Sequence, residues 1–481
     1  MLRPIPNSDA DDKDYALLRN LFGTHNFDLE HICRRLHITK LHHLDPTSSR
    51  QGDFGPLDPF LSLFVEGKPV GRDLLGAETV ALLERLNLIA SAPNDAVSAT
   101  VALYPIEHLY IASDRYNSPD DKPFEGFDDI VYPCLFETTD RFLRMIPRED
   151  LKPGAVVLDL CSGTGVAGLL QARHADQVYA LDIADRSTSF AKFNQRLNGI
   201  SNFTALTGDL YEPVAGIKFD CIVVHPPYQP VFKRQQIFNS GGIDGEEITS
   251  RCVEQSYGKL HPGGRLYCTA QITSRELSVA DRVRQWIEQS AQASDFDVAH
   301  FITKVHELEG FASKAILNAG GTMTDFRLWM RDLARLGVRQ LDYGLLIVER
   351  HAGPRQSFTI TRHAHAEWNR SEFEFLVSWE SGKKTSLWDM SLRANPNARL
   401  EVIHALVESG GWEVSGYRLS ATAPFKATIE GTQSLAFLVS LFVGGKNVKD
   451  VFQSFLAAAS IGRSDFEAAV SSMVSEGFLI L

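Results

Sequence analysis

The sequence predicts an α/β protein: a seven-stranded, mostly parallel sheet with helices on both faces, flanked by small, mostly helical modules. Two observations carry this. Between Val156 and Glu349, short apolar runs alternate with helix-forming stretches, and the early runs end in glycine or acidic turns. On either side, from Tyr15 to Leu86 and from Ser434 to Glu476, apolar residues recur at helical spacing. Shifts in character at Asn117-Ser-Pro119 and Gly353-Pro354 divide the chain into residues 1–112, 113–350 and 351–481.

Residues 1–13 are polar and acidic, and disorder is expected there. Tyr15–Phe22, Phe27–Cys33, Pro59–Val65 and Ala77–Leu86 read as amphipathic helical pieces. Leu88–Pro93 and Val101–Ile106 are expected to form a small β wing, which makes the first module winged-helix-like. Such a module binds nucleic acid or a partner, or it serves as a docking cap; the acidic balance favours the cap. Three further helical pieces, closed by the strand-like Phe478-Leu-Ile-Leu481, suggest a second such module at the other end.

The middle segment opens on Val156-Val-Leu-Asp-Leu-Cys-Ser-Gly-Thr-Gly165, an apolar strand running into a glycine turn, and a helix follows from Val166. Gly163, Gly165 and Gly168 satisfy the Gly-x-Gly-x-x-Gly pattern of dinucleotide sites. The acid Asp159 argues against that use, because an anion there repels a pyrophosphate and instead suits an ammonium group. A second strand, Val178–Ile183, ends in Asp182, about 20 residues on, where such folds hold ribose hydroxyls. A third leads to Gly208-Asp209-Leu210, and a fourth, Phe219–Val224, ends in His225-Pro-Pro-Tyr228.

This order resembles the class I S-adenosylmethionine-dependent methyltransferases, over roughly residues 125–350, and implies their Rossmann-like seven-stranded core. Asp159, Cys161, Ser162, Gly163, Thr164 and Gly165 are similar to the motif surrounding the methionine part of S-adenosyl-L-methionine, although a glycine often stands where Cys161 is. The resemblance implies that Asp182 meets the ribose, that Ile183 beside it also contacts the cofactor, and that Gly208, Asp209 and Leu210 meet the adenine. His225-Pro226-Pro227-Tyr228 resembles the Asn/Asp-Pro-Pro-Tyr motif of the amino-methylating branch, in which the polar side chain and a proline carbonyl accept hydrogen bonds from the target NH₂ and the aromatic ring stacks on the acceptor. That makes His225, Pro226 and Tyr228 the expected catalytic set, with His225 also near the cofactor and Pro227 and Tyr228 on the acceptor. Tyr132, in the turn preceding the first motif, is expected to pack over the cofactor, whose product is S-adenosyl-L-homocysteine.

His225 departs from the motif. A neutral imidazole accepts one hydrogen bond, or it takes a proton as a base, or it only shapes the loop. The acids Glu137, Asp140, Asp244, Glu246 and Glu247 flank the site in sequence. Of these, Glu137, Asp244 and Glu246 are the expected acceptor contacts, suited to a cationic acceptor unless they are simply solvated charge.

A net charge of −12 argues against RNA or DNA as the partner, a local basic patch aside. Six scattered cysteines form no Cys-x-x-Cys pair, so neither a metal site nor a disulfide framework is expected. With no apolar run of membrane length and no signal peptide, a cytoplasmic protein that avoids membranes is the default. The expected activity is N-methylation of a small molecule, amino acid or peptide. The alternatives are an rRNA or protein-glutamine methyltransferase, and a non-catalytic regulator that binds S-adenosylmethionine.

Overall fold

The computed structural model describes residues 4–43, 55–115, 126–232, 236–289, 291–364, 370–381, 387–422 and 426–480. The Asn117-Ser-Pro119 boundary lies outside them. The central sheet has eight strands: β1 (Val156–Leu160), β2 (Gln177–Asp182), β3 (Phe203–Thr207), β4 (Phe219–Val224), β5 (Leu260–Ser274), β6 (Phe296–Glu307), β7 (Gln340–Arg350) and β8 (Thr359–His363). They lie in the order β8-β6-β7-β5-β4-β1-β2-β3. β1 to β5 pair in parallel, whereas β7 runs antiparallel between β5 and β6. β8 exceeds the seven strands expected. It pairs in parallel with β6 at the sheet edge, where it is only half-buried, so its sequence lacks an apolar run.

Side chains alternate across the strands. Val157, Val223, Tyr267 and Leu345 face one layer, while Leu158, Ile222, Val224 and Leu266 face the other. Helices Glu137–Met145, Val166–Gln171 and Asp185–Leu197 contribute to the first layer, and Glu247–Lys259 and Val279–Glu288 to the second. The strand order reverses at β1, which has β4 on one side and β2 on the other. Open α/β sheets bind ligands at such a reversal, outside the carboxyl ends of the strands.

The N-terminal stretch is ordered from Pro4, contrary to expectation. Asp11 caps helix Asp12–Thr24, and Arg186 and Arg196 donate to the Pro4 and Ser8 carbonyls at 2.6 Å. Two hairpins replace the single expected wing. Ile89–Ala92 pairs with Ala96–Ala99, turning through Asn94 and Asp95 at positive φ (60° and 53°), and Ala102–Ile106 pairs with Leu109–Ser113. Asn and Asp tolerate that left-handed backbone, so the turn falls earlier than apolar spacing suggested.

This module is joined to the sheet layer by buried polar contacts. Asn194 Nδ2 donates to the Ala112 and Thr164 carbonyls, and Asn194 Oδ1 accepts from Ala112 N–H. Asp114 and Arg186, 3% and 5% exposed, form an ion pair, and Val131 N–H donates to Asp114 at 2.8 Å. Removing one partner strands the other charge in a dry site. Asp114→Ala is expected to cost about 3–5 kcal/mol. A thermal-unfolding midpoint equal to that of the wild type would show the pair to be dispensable.

The C-terminal part has helices Arg370–Glu380, Gln433–Leu441, Val448–Leu456 and Arg463–Ser475, with a small sheet in which Ser391–Ala394 lies between Lys446–Asn447 and Leu479–Ile480. A separate antiparallel sheet, Arg399–Leu406, Trp412–Ala421 and Ala427–Gly431, occupies the stretch the sequence left unread. Between β6 and β7, helix Leu308–Asn318 precedes the expected helix, here Met323–Arg335. Its partner contact reaches the site region, since Trp329 Nε1 donates to the Ile243 carbonyl at 3.0 Å.

Candidate active site

A cavity of about 1110 Å³ opens beyond the carboxyl ends of β1, β2 and β4. One half is built from the glycine turn. Gly163 (φ 52°) has open space where a Cβ would stand, and its N–H donates to Asp182 at 2.8 Å. Asp182 also accepts from Ala184 N–H at 3.0 Å, which fixes its carboxylate at the cavity wall. Cys161 adopts φ 57°, the left-handed conformation that glycine reaches without cost. Its thiol is pushed well above the ordinary value by a hydrogen bond to Cys252 and by burial. Asp159, Ser162, Thr164, Ile183, Gly208, Asp209 and Leu210 also line the cavity. Asp209 pairs with Arg251 at 2.6 Å, a contact with no sequence signal.

Gly165 does not itself line the cavity. A Cβ there would come within 3.0 Å of Phe203 and 3.1 Å of Ala191, so it packs the turn against strand and helix.

The other half is aromatic. His225, Pro226, Pro227 and Tyr228 line it at the end of β4. The His225 ring stacks on Phe142, with centroids 4.9 Å apart, and lies 5.4 Å from the Tyr228 ring. His225 Nε2 is buried with no hydrogen-bond partner among the described residues, and burial lowers the imidazole to about 4. Tyr228 is pushed up to about 12 by burial, so its hydroxyl stays protonated. Tyr132 lines the cavity between Phe136 (4.6 Å) and Phe238 (4.4 Å), both rings nearly parallel to it. Phe142, at an ordinary apolar helical position, was not singled out; Phe238 opens Phe238–Glu247, which reads in the sequence as a flexible, acidic candidate acceptor-binding segment or a solvated turn.

That loop is zipped onto the Pro-Pro-Tyr segment. Gln229 N–H donates to the Asn239 carbonyl and Gly241 N–H to the Gln229 carbonyl, both at 3.0 Å. Gly245 (φ 83°) passes so close that a Cβ would lie 2.4 Å from the Tyr228 carbonyl oxygen.

Asp244 and Glu246, expected as acceptor contacts, do not line this cavity. Asp244 pairs with Arg275 at 2.5 Å, and Glu246, 5% exposed, pairs with Arg282 at 2.8 Å and accepts from Thr273 N–H. Glu137 does line the cavity, but it is paired with Arg141 at 2.6 Å. Asp140 is likewise paired with Lys40 and Arg144. These acids are already compensated, which removes the pull on a cationic acceptor.

Residues 137–300 match the family model described as the methyltransferase small domain. A Methanocaldococcus jannaschii protein named "Putative protein N5-glutamine methyltransferase" is 32% identical over 148 residues, covering 29% of this chain and 74% of that protein. The chain belongs to the small-domain family of S-adenosylmethionine-dependent methyltransferases. A release factor glutamine methyltransferase of Thermodesulfovibrio yellowstonii is 29% identical over 165 residues. The alignment covers 32% of this methyltransferase and 56% of that relative's own length. A ribosomal RNA small subunit methyltransferase C of Alcanivorax borkumensis is 30% identical over 139 residues, 29% of this chain and 37% of that one.

S-adenosyl-L-methionine is the methyl donor of this family. The glycine-turn half fits it. Asp159, 2% exposed, takes one hydrogen bond from Gly168 N–H and has no cation beside it among the described residues. Burial raises its carboxyl to about 8. A buried acid facing a cavity is resolved by a ligand that brings a positive ammonium group. Asp182 would hold the ribose hydroxyls, and Ile183, 53% exposed, offers an apolar edge to the adenine.

Proposed function

We propose that this methyltransferase methylates the nitrogen of an uncharged, planar acceptor, an amide above all, carried by a small molecule, an amino acid or a peptide. The observation that carries this is the buried, partnerless Nε2 of His225 between the Phe142 and Tyr228 rings. At neutral pH that imidazole is uncharged. In the tautomer with Nε2 unprotonated it accepts a hydrogen bond from the target N–H, as the motif's asparagine side chain does elsewhere. Together with the Pro226 carbonyl it would turn the nitrogen towards the methyl group, and Tyr228 would stack on the acceptor plane. Orientation of this kind is the main contribution a protein makes to an in-line displacement. A base near pKa 4 has little pull on an amide or amine proton, so accepting a hydrogen bond suits His225 better than general-base catalysis. The names of the glutamine methyltransferase relatives support an amide, and the −12 charge weighs against a phosphate-rich acceptor.

The test is transfer from isotopically labelled donor to a panel of glutamine- and asparagine-containing peptides, amino-acid amides, aliphatic amines and rRNA fragments. Label on a neutral amide nitrogen, located by tandem mass spectrometry, is the expected result. Label only on amines or hydroxyls would overturn it, as would tight, strongly salt-dependent methylation of rRNA.

A further inference from the structure

Two more buried polar atoms, both on residues that line the cavity, have no partner among the described residues: Asn239 Oδ1 and Ser240 Oγ. Ser240 is 3% exposed, and both atoms are out of reach of bulk solvent. Buried polar groups in folded proteins are nearly always hydrogen-bonded, so an orphaned pair in a cavity marks a place for a ligand's polar atoms. The backbone here is held in place. Gln229 N–H binds the Asn239 carbonyl, Gly241 N–H returns to Gln229, and Ser240 N–H donates to the Gln236 carbonyl at 3.2 Å. The pair therefore sits directly beside the Tyr228 loop, next to the stacked Phe238 and Tyr132 rings.

We propose that Asn239 and Ser240 form an acceptor-reading subsite for an amide edge, a C=O and an N–H presented side by side. The Ser240 hydroxyl donates to the carbonyl, and Asn239 Oδ1 accepts from the N–H. The aromatic wall of Phe238 and Tyr132 covers the apolar part of the same group. This inference rests on the amide reading of the acceptor. It assigns to this chain's own loop the selection of the acceptor, while His225 and Tyr228 orient the reacting nitrogen. The effect of both residues is therefore expected on acceptor binding.

The experiment measures acceptor KM, kcat and donor affinity for the wild type, Asn239→Ala, Ser240→Ala and Ser240→Thr, using whichever panel compound is turned over. Each alanine variant is expected to raise acceptor KM about tenfold, the worth of one well-made hydrogen bond. Donor affinity should stay within about twofold, and Ser240→Thr, which keeps the hydroxyl, should restore most of the loss. An unchanged KM in both folded alanine variants would overturn the subsite. If the wild type methylates an amine and no amide, the amide reading fails, and an alanine KM equal to that of the wild type on that amine removes the subsite as well. If no compound is turned over, N-acetylglutamine amide is titrated into the enzyme loaded with S-adenosyl-L-homocysteine. Binding weakened by both alanine variants supports the subsite, and no binding to the wild type overturns it.

Discussion

Replacing Asp159 by asparagine is expected to weaken S-adenosylmethionine binding about ten- to a hundredfold while stabilising the empty protein. Loss of a charge-assisted hydrogen bond to the ammonium group costs about 1.5–3 kcal/mol, which sets that range. The gain in stability follows from burial. Asp159 is 2% exposed, and its carboxyl is raised to about 8 by burial, with the charge of Asp182 adding to it. An acid whose folded-state pKa lies above its unfolded value costs stability as pH climbs from the lower value to the higher. The unfolding midpoint of Asp159→Asn should therefore pull ahead of the wild type between about pH 4 and 8. Binding carries the same linkage. At pH 7 the empty site holds the proton, and the ammonium group favours the ionised carboxylate. Calorimetry in buffers of different ionisation enthalpy should then show close to one proton released at pH 7 for the wild type and close to none for the variant. Equal affinity in the two proteins, or a wild type that releases no proton, would remove Asp159 from the cofactor site.

His225→Ala should lower turnover about 10²-fold or more, the size of effect that misplacing a reacting group produces. Cofactor affinity should stay nearly unchanged. His225→Asn restores the residue of the related motif and should keep activity within about tenfold, because an amide oxygen also accepts the hydrogen bond. A proton-accepting His225 predicts instead a loss of 10²–10⁴-fold in the asparagine variant. The pH profile separates the two in the wild type. With the imidazole near 4 it does not titrate between pH 5 and 8, so kcat/KM should show no inflection from it there. An inflection between pH 5 and 8 that disappears in His225→Asn would establish a base.

The landmarks that line the cavity from the strand ends were legible because each is local. A short apolar run, a glycine turn and an acid a fixed step later are all recorded within a few residues. Cys161 shows the limit of such a pattern: glycine is favoured there for its positive φ, and a cysteine at φ 57° meets the same backbone demand. The rest of the aromatic wall was not legible, because Phe238 meets Tyr132 and Phe142 meets His225 only when distant segments fold together.

The sequence alone determined the α/β alternation, the glycine turn, the acid that ends the second strand and the His225-Pro-Pro-Tyr228 loop, since periodicity and backbone conformation are properties of neighbouring residues. Only the tertiary structure decided which charges remain available. Asp244 and Glu246 read as acceptor contacts until Arg275 and Arg282, about thirty or more residues away in sequence, were found beside them. It also decided that Thr359–His363 joins the sheet, and that Ser240 Oγ and His225 Nε2 are buried with no partner among the described residues. Compensation of a charge and orphaning of a polar atom depend on what packs around a group in space, and spacing along the chain does not record that.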